Sequence, residues 1–244
     1  MDRWLRALTV ALGCASLLGT LGGCFGEVSG RPDSFESDIA AFEERDRVAP
    51  PPRDAIVFVG SSSIRGWDGL EEDMAPLPVI ERGFGGSHLE HVIANAHRIV
   101  TPYQPRIVVV YAGDNDLAAG SGKSPDDVVR DYRTLTETLF EALPGLEIHF
   151  LSIKPSRLRW DRWPAMREAN RRIALLSAKD PRLHYVDLAT PLLDADGEPR
   201  DDVFVFDGLH LNETGYAAWA AVLKPLLLEA YERAAPAETE ANLR

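Results

Sequence analysis

The sequence predicts an α/β fold, a five-stranded parallel sheet in the order 2-1-3-4-5 with helices on both faces. Three observations predict it. Uncharged runs such as Ala55-Ile-Val-Phe-Val59 and Ile107-Val-Val-Val-Tyr111 are rich in β-branched residues, as strands buried on both faces are. Stretches of helical period alternate with these runs, and Leu89, Val92, Ile93, Ala96 and Ile99 form one apolar stripe. Glycine and proline punctuate the junctions, at Gly60, at Pro102 and Pro105, and at Pro144-Gly145. Alternation at this spacing means crossover connections and therefore parallel strands. The strand order is the natural one for five strands in a doubly wound sheet, and it sets a switch point between the first and third strands.

The elements follow in order. Ser34 is positioned to cap a short helix in which Phe35, Ile39 and Phe42 recur on one side, a strap packed on the domain; Pro50-Pro51-Pro52 stops it. The first strand ends at Gly60, which opens onto Ser61, Ser62 and Ser63, and a short helix is expected from Ile64 to Glu72. A brief second strand, Val79-Ile80, leads into a turn containing Gly83, Gly85 and Gly86, and a helix spans His88 to Val100. The third strand, Ile107 to Tyr111, is followed by Gly113-Asp-Asn-Asp116 and by a helix from Pro125 to about Ala142. Leu146 to Ile153 reads as the fourth strand, and a loop rich in Arg and Trp leads to a helix with Pro164 in its first turn, ending at Ala178. Leu183 to Leu188 is the fifth strand. Asn212 caps a last helix from Glu213 to Tyr231.

The formal net charge of −12 argues against a nucleic-acid partner, which wants a basic face. At the amino terminus, Arg3 and Arg6 precede an uncharged, Gly-rich run from Ala7 to Gly23, the pattern of a secretory signal. The run closes on Leu21-Gly22-Gly23-Cys24, which resembles a lipobox, so Cys24 is the expected lipidation site and the chain an exported, membrane-anchored lipoprotein. Cys14 is a weaker second candidate, and the alternatives are conventional cleavage near Gly23 or a retained anchor. Both cysteines lie in this segment, so the folded domain has no disulfide, thiolate nucleophile or cysteine-based zinc site.

Serine-based acyl transfer needs a nucleophile, a base, an acid that orients the base, and donors for an oxyanion. Candidates for each follow a strand or lie in a loop. Ser62 follows the first strand, Gly86 the second, and Asn115 the third, where its amide can donate. Asp207 and His210 are three residues apart, before the last helix, where a tight turn lets them share a hydrogen bond. Taken singly, each is equally a helix cap, a turn glycine or a surface pair. Four such elements in order at one sheet edge favour chemistry. His88, His91 and His97 fit no metal-binding helix motif and read as helix-surface or packing residues.

These blocks resemble those of the SGNH hydrolases, the GDSL family of esterases and lipases, over about Ala55 to Leu228. Gly60-Ser-Ser-Ser-Ile64 is similar to the first block, Gly83-Phe-Gly-Gly86 to the second, Gly113-Asp-Asn-Asp116 to the third and Asp207-Gly-Leu-His210 to the last. The resemblance implies a flavodoxin-like three-layer α/β/α sandwich. It implies a serine esterase with catalytic Ser62, Asp207 and His210, and an oxyanion hole from Ser62, Gly86 and Asn115; Ser61 and Ser63 are the alternative nucleophiles. Ser61 and Ser63 stand where the family usually has Asp and Leu, and Glu81 where Asn is frequent. The expected organisation is a signal segment at 1–23, a tether and strap helix at 24–52, the hydrolase domain at 53–232 and a flexible tail at 233–244. Such chemistry needs no cofactor, and no metal constellation is apparent along the chain. Arg157, Arg159, Trp160 and Trp163, after the fourth strand, are expected to overhang the site and meet substrate, or else Trp163 and the arginines pack over the following helix through their apolar parts. The expected substrate is a small acyl ester, acetyl-like, on a glycan. The alternatives are a lysophospholipase or thioesterase of the same fold, or a non-catalytic surface lipoprotein that binds a glycan or a partner.

Overall fold

The computed structural model describes residues 35–234. The signal segment, Ser34, Cys24 and the tail from residue 235 lie outside the described residues. Five strands form one parallel sheet in the order β2-β1-β3-β4-β5. They are β1 (Ile56–Gly60), β2 (Val79–Gly83), β3 (Ile107–Tyr111), β4 (Glu147–Leu151) and β5 (Leu183–Val186). The helices are α1 (Glu36–Val48), α2 (Ser62–Arg65), α3 (Leu70–Met74), α4 (Leu89–Ile99), α5 (Pro125–Ala142), α6 (Trp163–Ser177) and α7 (Glu213–Ala234).

The period of two along each strand divides the core. Val57 and Val59 of β1, with Val108 and Val110 of β3, face one side and pack against α1, α4, α5 and α6. Ile56 and Phe58, with Val109 and Tyr111, face the other and pack against α2, α3 and α7. Both layers are apolar because both sheet faces are covered, which is why these strands read as continuous apolar runs. Among the described residues, no helix is long and apolar enough to cross a membrane.

Several element ends differ from expectation for identifiable reasons. The helix expected from Ile64 to Glu72 is two short helices, because Gly66 and Gly69 flank a bend between them. β2 continues through Glu81 and Arg82 to Gly83, although charges usually end a strand. The Arg82 guanidinium is 2.5 Å from Asp46 of α1 and bonds the Tyr103 hydroxyl, so its charge is matched beneath the strap helix. α1 is fastened by more than this pair: Phe35 packs edge-on to Phe84, and Arg98 holds Glu36 and Glu43. Asn212 caps α7 as expected, its Oδ1 accepting the Gly215 N–H at 3.1 Å.

Candidate active site

The carboxyl ends of β1, β2 and β3 converge on one edge, and the serine loop is built there by a constraint at Gly60. Its φ is +146°, and a Cβ at this position would lie 1.8 Å from the Tyr111 carbonyl oxygen. Only glycine lets β1 run this close to β3 while the chain turns upward. The Ser61 N–H then bonds the Tyr111 carbonyl at 3.0 Å, and Ser62 begins α2. Ser61 and Ser63 are buried and face into the protein, whereas Ser62 is half-buried at the edge. Of the three serines, Ser62 is the one that meets a base. Its Oγ is 2.9 Å from His210 Nε2.

His210 is fixed by the turn that carries it. Its Nδ1 is 2.6 Å from Asp207 Oδ2. The other carboxylate oxygen of Asp207 accepts the N–H groups of Leu209 and His210, at 2.8 and 2.9 Å. Partial burial pushes Asp207 upward, but the bonds from the His210 ring and from these two N–H groups hold it lower, at about 2. A carboxylate in that state keeps Nδ1 protonated and leaves the Nε2 lone pair aimed at Ser62. The turn is tied to the fourth-strand loop by the Leu158 N–H, which donates to the Gly208 carbonyl at 3.0 Å.

Gly86 has φ +82°, the left-handed region that favours glycine, and a Cβ there would meet nothing within 4 Å. Neither the Gly86 nor the Ser62 backbone N–H donates to another described residue. Asn115 donates from Nδ2 to the Ser87 carbonyl at 3.1 Å, which leaves its second amide hydrogen free. The loops that follow β1, β2 and β3 thus each carry an N–H donor not fully spent within the protein, at Ser62, Gly86 and Asn115.

The substrate-loop residues separate. Trp160 and Arg157 line an open groove of about 780 Å³ beside the Asp207–His210 turn, together with Asp194, Glu198, Asp201 and Asp202. Arg157 pairs with Asp201 at 2.5 Å. Trp163 does not overhang the site. It is buried in the core at the start of α6 with Trp160 stacked on it, because an indole there covers the sheet face. Arg159 is not free for an anion either: its guanidinium donates to Asn115 Oδ1 at 2.9 Å and lies 3.5 Å from Asp114. Arg159 thus positions the Asn115 amide.

Sequence reasoning missed what lies under Asn115. Lys154, 1 % exposed, places its ammonium 3.2 Å from Asp114 and 3.3 Å from the Tyr111 hydroxyl. Burial would raise Asp114, but the charges of Lys154 and Arg159 hold it below the ordinary carboxylate range. The pair pins the third-strand loop to the fourth, and the signal for it was a lysine directly after an apolar strand. Asp116 accepts the Leu89 N–H at 3.2 Å and so caps α4, a helix that precedes it in the chain.

The model of the GDSL-like lipase/acylhydrolase family matches residues 54–218. A search of curated proteins returns no match. Among solved structures, a GDSL-like lipase from Bacteroides thetaiotaomicron is similar at a TM-score of 0.69 and 20% identity, covering 79% of this chain and 98% of its own. A family 3 carbohydrate esterase from Clostridium thermocellum is similar at 0.61 and 18%, covering 76% and 100%. An acetyl esterase mutant, solved with acetate ion, is similar at 0.58 and 16%, covering 74% and 100%. At these identities the structural likenesses establish a shared fold. With the family match spanning most of the chain, the protein belongs to the GDSL-like lipase/acylhydrolase family and is a hydrolase of the GDSL/SGNH type.

Proposed function

We propose that the protein is a serine esterase that removes small, acetyl-like acyl groups from a carbohydrate. The observation that carries this reading is the hydrogen-bond chain from Ser62 Oγ through His210 to Asp207, at 2.9 and 2.6 Å. As Ser62 Oγ attacks the ester carbonyl, His210 Nε2 takes its proton, and the carbonyl oxygen gains negative charge. The N–H groups of Ser62 and Gly86 and the Asn115 amide receive that charge. The protonated ring then gives its proton to the leaving alcohol oxygen, and an acyl-serine remains. Water attacks this ester with His210 again as base and frees the carboxylic acid. Asp207 stays ionised throughout and stabilises the imidazolium.

The groove beside the catalytic turn supports a sugar-bearing leaving group. Trp160 offers an aromatic surface there, and Asp194 and Glu198, outside the ion pairs that hold Asp201 and Asp202, are placed to accept hydroxyl hydrogens. The cations nearby are already matched: Arg157 by Asp201, Arg159 by Asp114, and Arg162 by Asp161. A neutral polyol therefore suits the groove better than an anionic headgroup. The likeness to a carbohydrate esterase and an acetyl esterase agrees with that reading. One observation favours a longer acyl chain instead: Phe206 is fully exposed next to Asp207, and Leu158 is exposed beside Gly208.

Hydrolysis of p-nitrophenyl acetate tests both points. The wild type should turn it over, and Ser62→Ala should lose about 10⁴-fold or more, since the three residues act as a unit. Equal turnover by Ser62→Ala sinks the esterase mechanism. Turnover of p-nitrophenyl laurate far above that of acetate sinks the small-acyl reading and favours a lipid substrate. The reading includes export and lipid anchoring through Cys24. Cys24→Ala should lose palmitate labelling and leave the membrane fraction, and unchanged labelling would overturn the anchor.

A further inference from the structure

Two clusters of histidine and carboxylate lie away from the catalytic triad among the described residues. At the start of α4, His88, Glu90 and His91 bring their ligand atoms together, but the Lys123 ammonium is already 3.1 Å from Glu90. That ammonium also pairs with Asp116 and Asp131, so it cannot leave without stranding buried carboxylates.

The second cluster is different. Glu147 and His149 are two residues apart on β4 and share a sheet face, and His184 is the register partner of His149 on β5. The two rings stack at 4.4 Å. One ligand atom from each of the three residues lies within 4.8 Å of the others. Glu147 Oε2 is 3.1 Å from His184 Nε2 and 3.9 Å from His149 Nε2. The His149 side chain is only 4% exposed, and its Nε2 is buried without a hydrogen-bond partner among the described residues. Native proteins rarely leave such atoms unpaired. A cavity of about 410 Å³, bounded on its far side by Leu226 and Arg233 of α7, opens onto both rings.

We propose that Glu147, His149 and His184 form a binding site for a divalent transition ion of the zinc class. Two imidazole nitrogens and one carboxylate oxygen are a donor set that such ions accept, with a further position left for water. Linear spacing conceals the set, because strand pairing alone brings His184 to His149. The site lies toward the amino-terminal ends of β4 and β5, opposite the serine loop, so a bound ion would tie two strands together and take no part in ester chemistry. Arg233 is its built-in competitor. Its guanidinium is 2.8 Å from Glu147 Oε2, yet it is half exposed at the end of α7, where Glu229 at 3.7 Å offers it a second carboxylate.

Chelator-treated, tag-free wild-type protein titrated with Zn²⁺ in a calorimeter tests the proposal, with Tm followed in parallel. A saturable site should appear, and Tm should rise with Zn²⁺ as binding to the native state requires. His184→Gln, at a partly exposed position that the fold tolerates, should weaken binding by more than the roughly 10–100-fold that loss of an outer partner costs. His149→Gln should do the same, and if it does not fold, His184→Gln decides alone. Arg233→Ala should tighten binding and leave p-nitrophenyl acetate turnover unchanged. Absence of saturable binding, or binding undiminished in His184→Gln, overturns the site.

Discussion

His210 and His149 occupy opposite ends of the same sheet, each near a carboxylate, in contrary circumstances. His210 is 39% exposed and has a partner on each ring nitrogen, Asp207 on one and Ser62 on the other. His149 is buried, stacked on His184, and its Nε2 has no hydrogen-bond partner among the described residues. Burial, with the neighbouring His184, pushes His149 down to about 3, so near neutrality it does not take up a proton. A base must both accept and release a proton, which calls for a donor on one side and an orienting acceptor on the other. Partners rather than burial fit a histidine to serve as a base, and a buried unpartnered imidazole is better suited to hold an ion or a strand.

Exchanging the two histidines for alanine breaks the comparison most severely. His210→Ala should lose about 10⁴-fold or more in ester turnover with the fold intact, since the ring is partly exposed and locally held. His149→Ala should keep its turnover number and lose about 2–4 kcal/mol of stability in urea unfolding, because it leaves a cavity between β4 and α7. If His149→Ala abolished turnover in protein that remains folded, the division between the two ends would fail.

A smaller effect sharpens the description of the catalytic end. Asn115→Ala should lower kcat by about 10²-fold through loss of an oxyanion donor. Arg159→Met should lower it less, because the Asn115 amide remains but is no longer aimed by a bond to its Oδ1. That loss should fall on kcat with KM little changed. A rise in KM alone would mean that Arg159 binds substrate directly.

The smallest effect is one of pH. Burial, with His88 beside it, pushes His91 down to about 4, while the unfolded chain protonates a histidine near about 6.5. Between those values the unfolded state binds more protons, so stability is fully present above the upper value and declines as pH falls toward the lower. His91→Gln should flatten this part of the stability profile without moving ester turnover. An unchanged slope would mean that His91 is solvated in the native state.

Much of the geometry at the serine-loop end was legible because its parts are local. Asp207 and His210 are three residues apart and meet across one turn, and Gly60 with the serines is one continuous stretch. The remainder depends on residues distant in sequence. Arg159 stands in a loop whose arginines and tryptophans read equally as substrate contacts or as packing, and the structure divides them: Asn115 and Asp114 claim Arg159 and the core claims Trp163. Charges in β2 argued for an early strand end, and a partner in α1 removed that argument. Gly66 and Gly69 were visible as residues, but their effect, the break between α2 and α3, was not anticipated.

Periodicity and punctuation determined the parallel sheet, because both faces of a doubly wound sheet demand uninterrupted apolar strands and helices between them; its strand order is the one five such strands commonly take. The sequence by itself also carried Ser62, Gly86, Asn115, Asp207 and His210 as candidates, since each sits where a strand or turn ends. Only the tertiary structure decided which serine meets His210, by burying Ser61 and Ser63 against the core and leaving Ser62 at the edge. It also decided which charges are spent on one another, Lys154 on Asp114 and Arg82 on Asp46. And it joined His149 to His184 across 35 residues of chain, because register between neighbouring strands is a property of the assembled sheet.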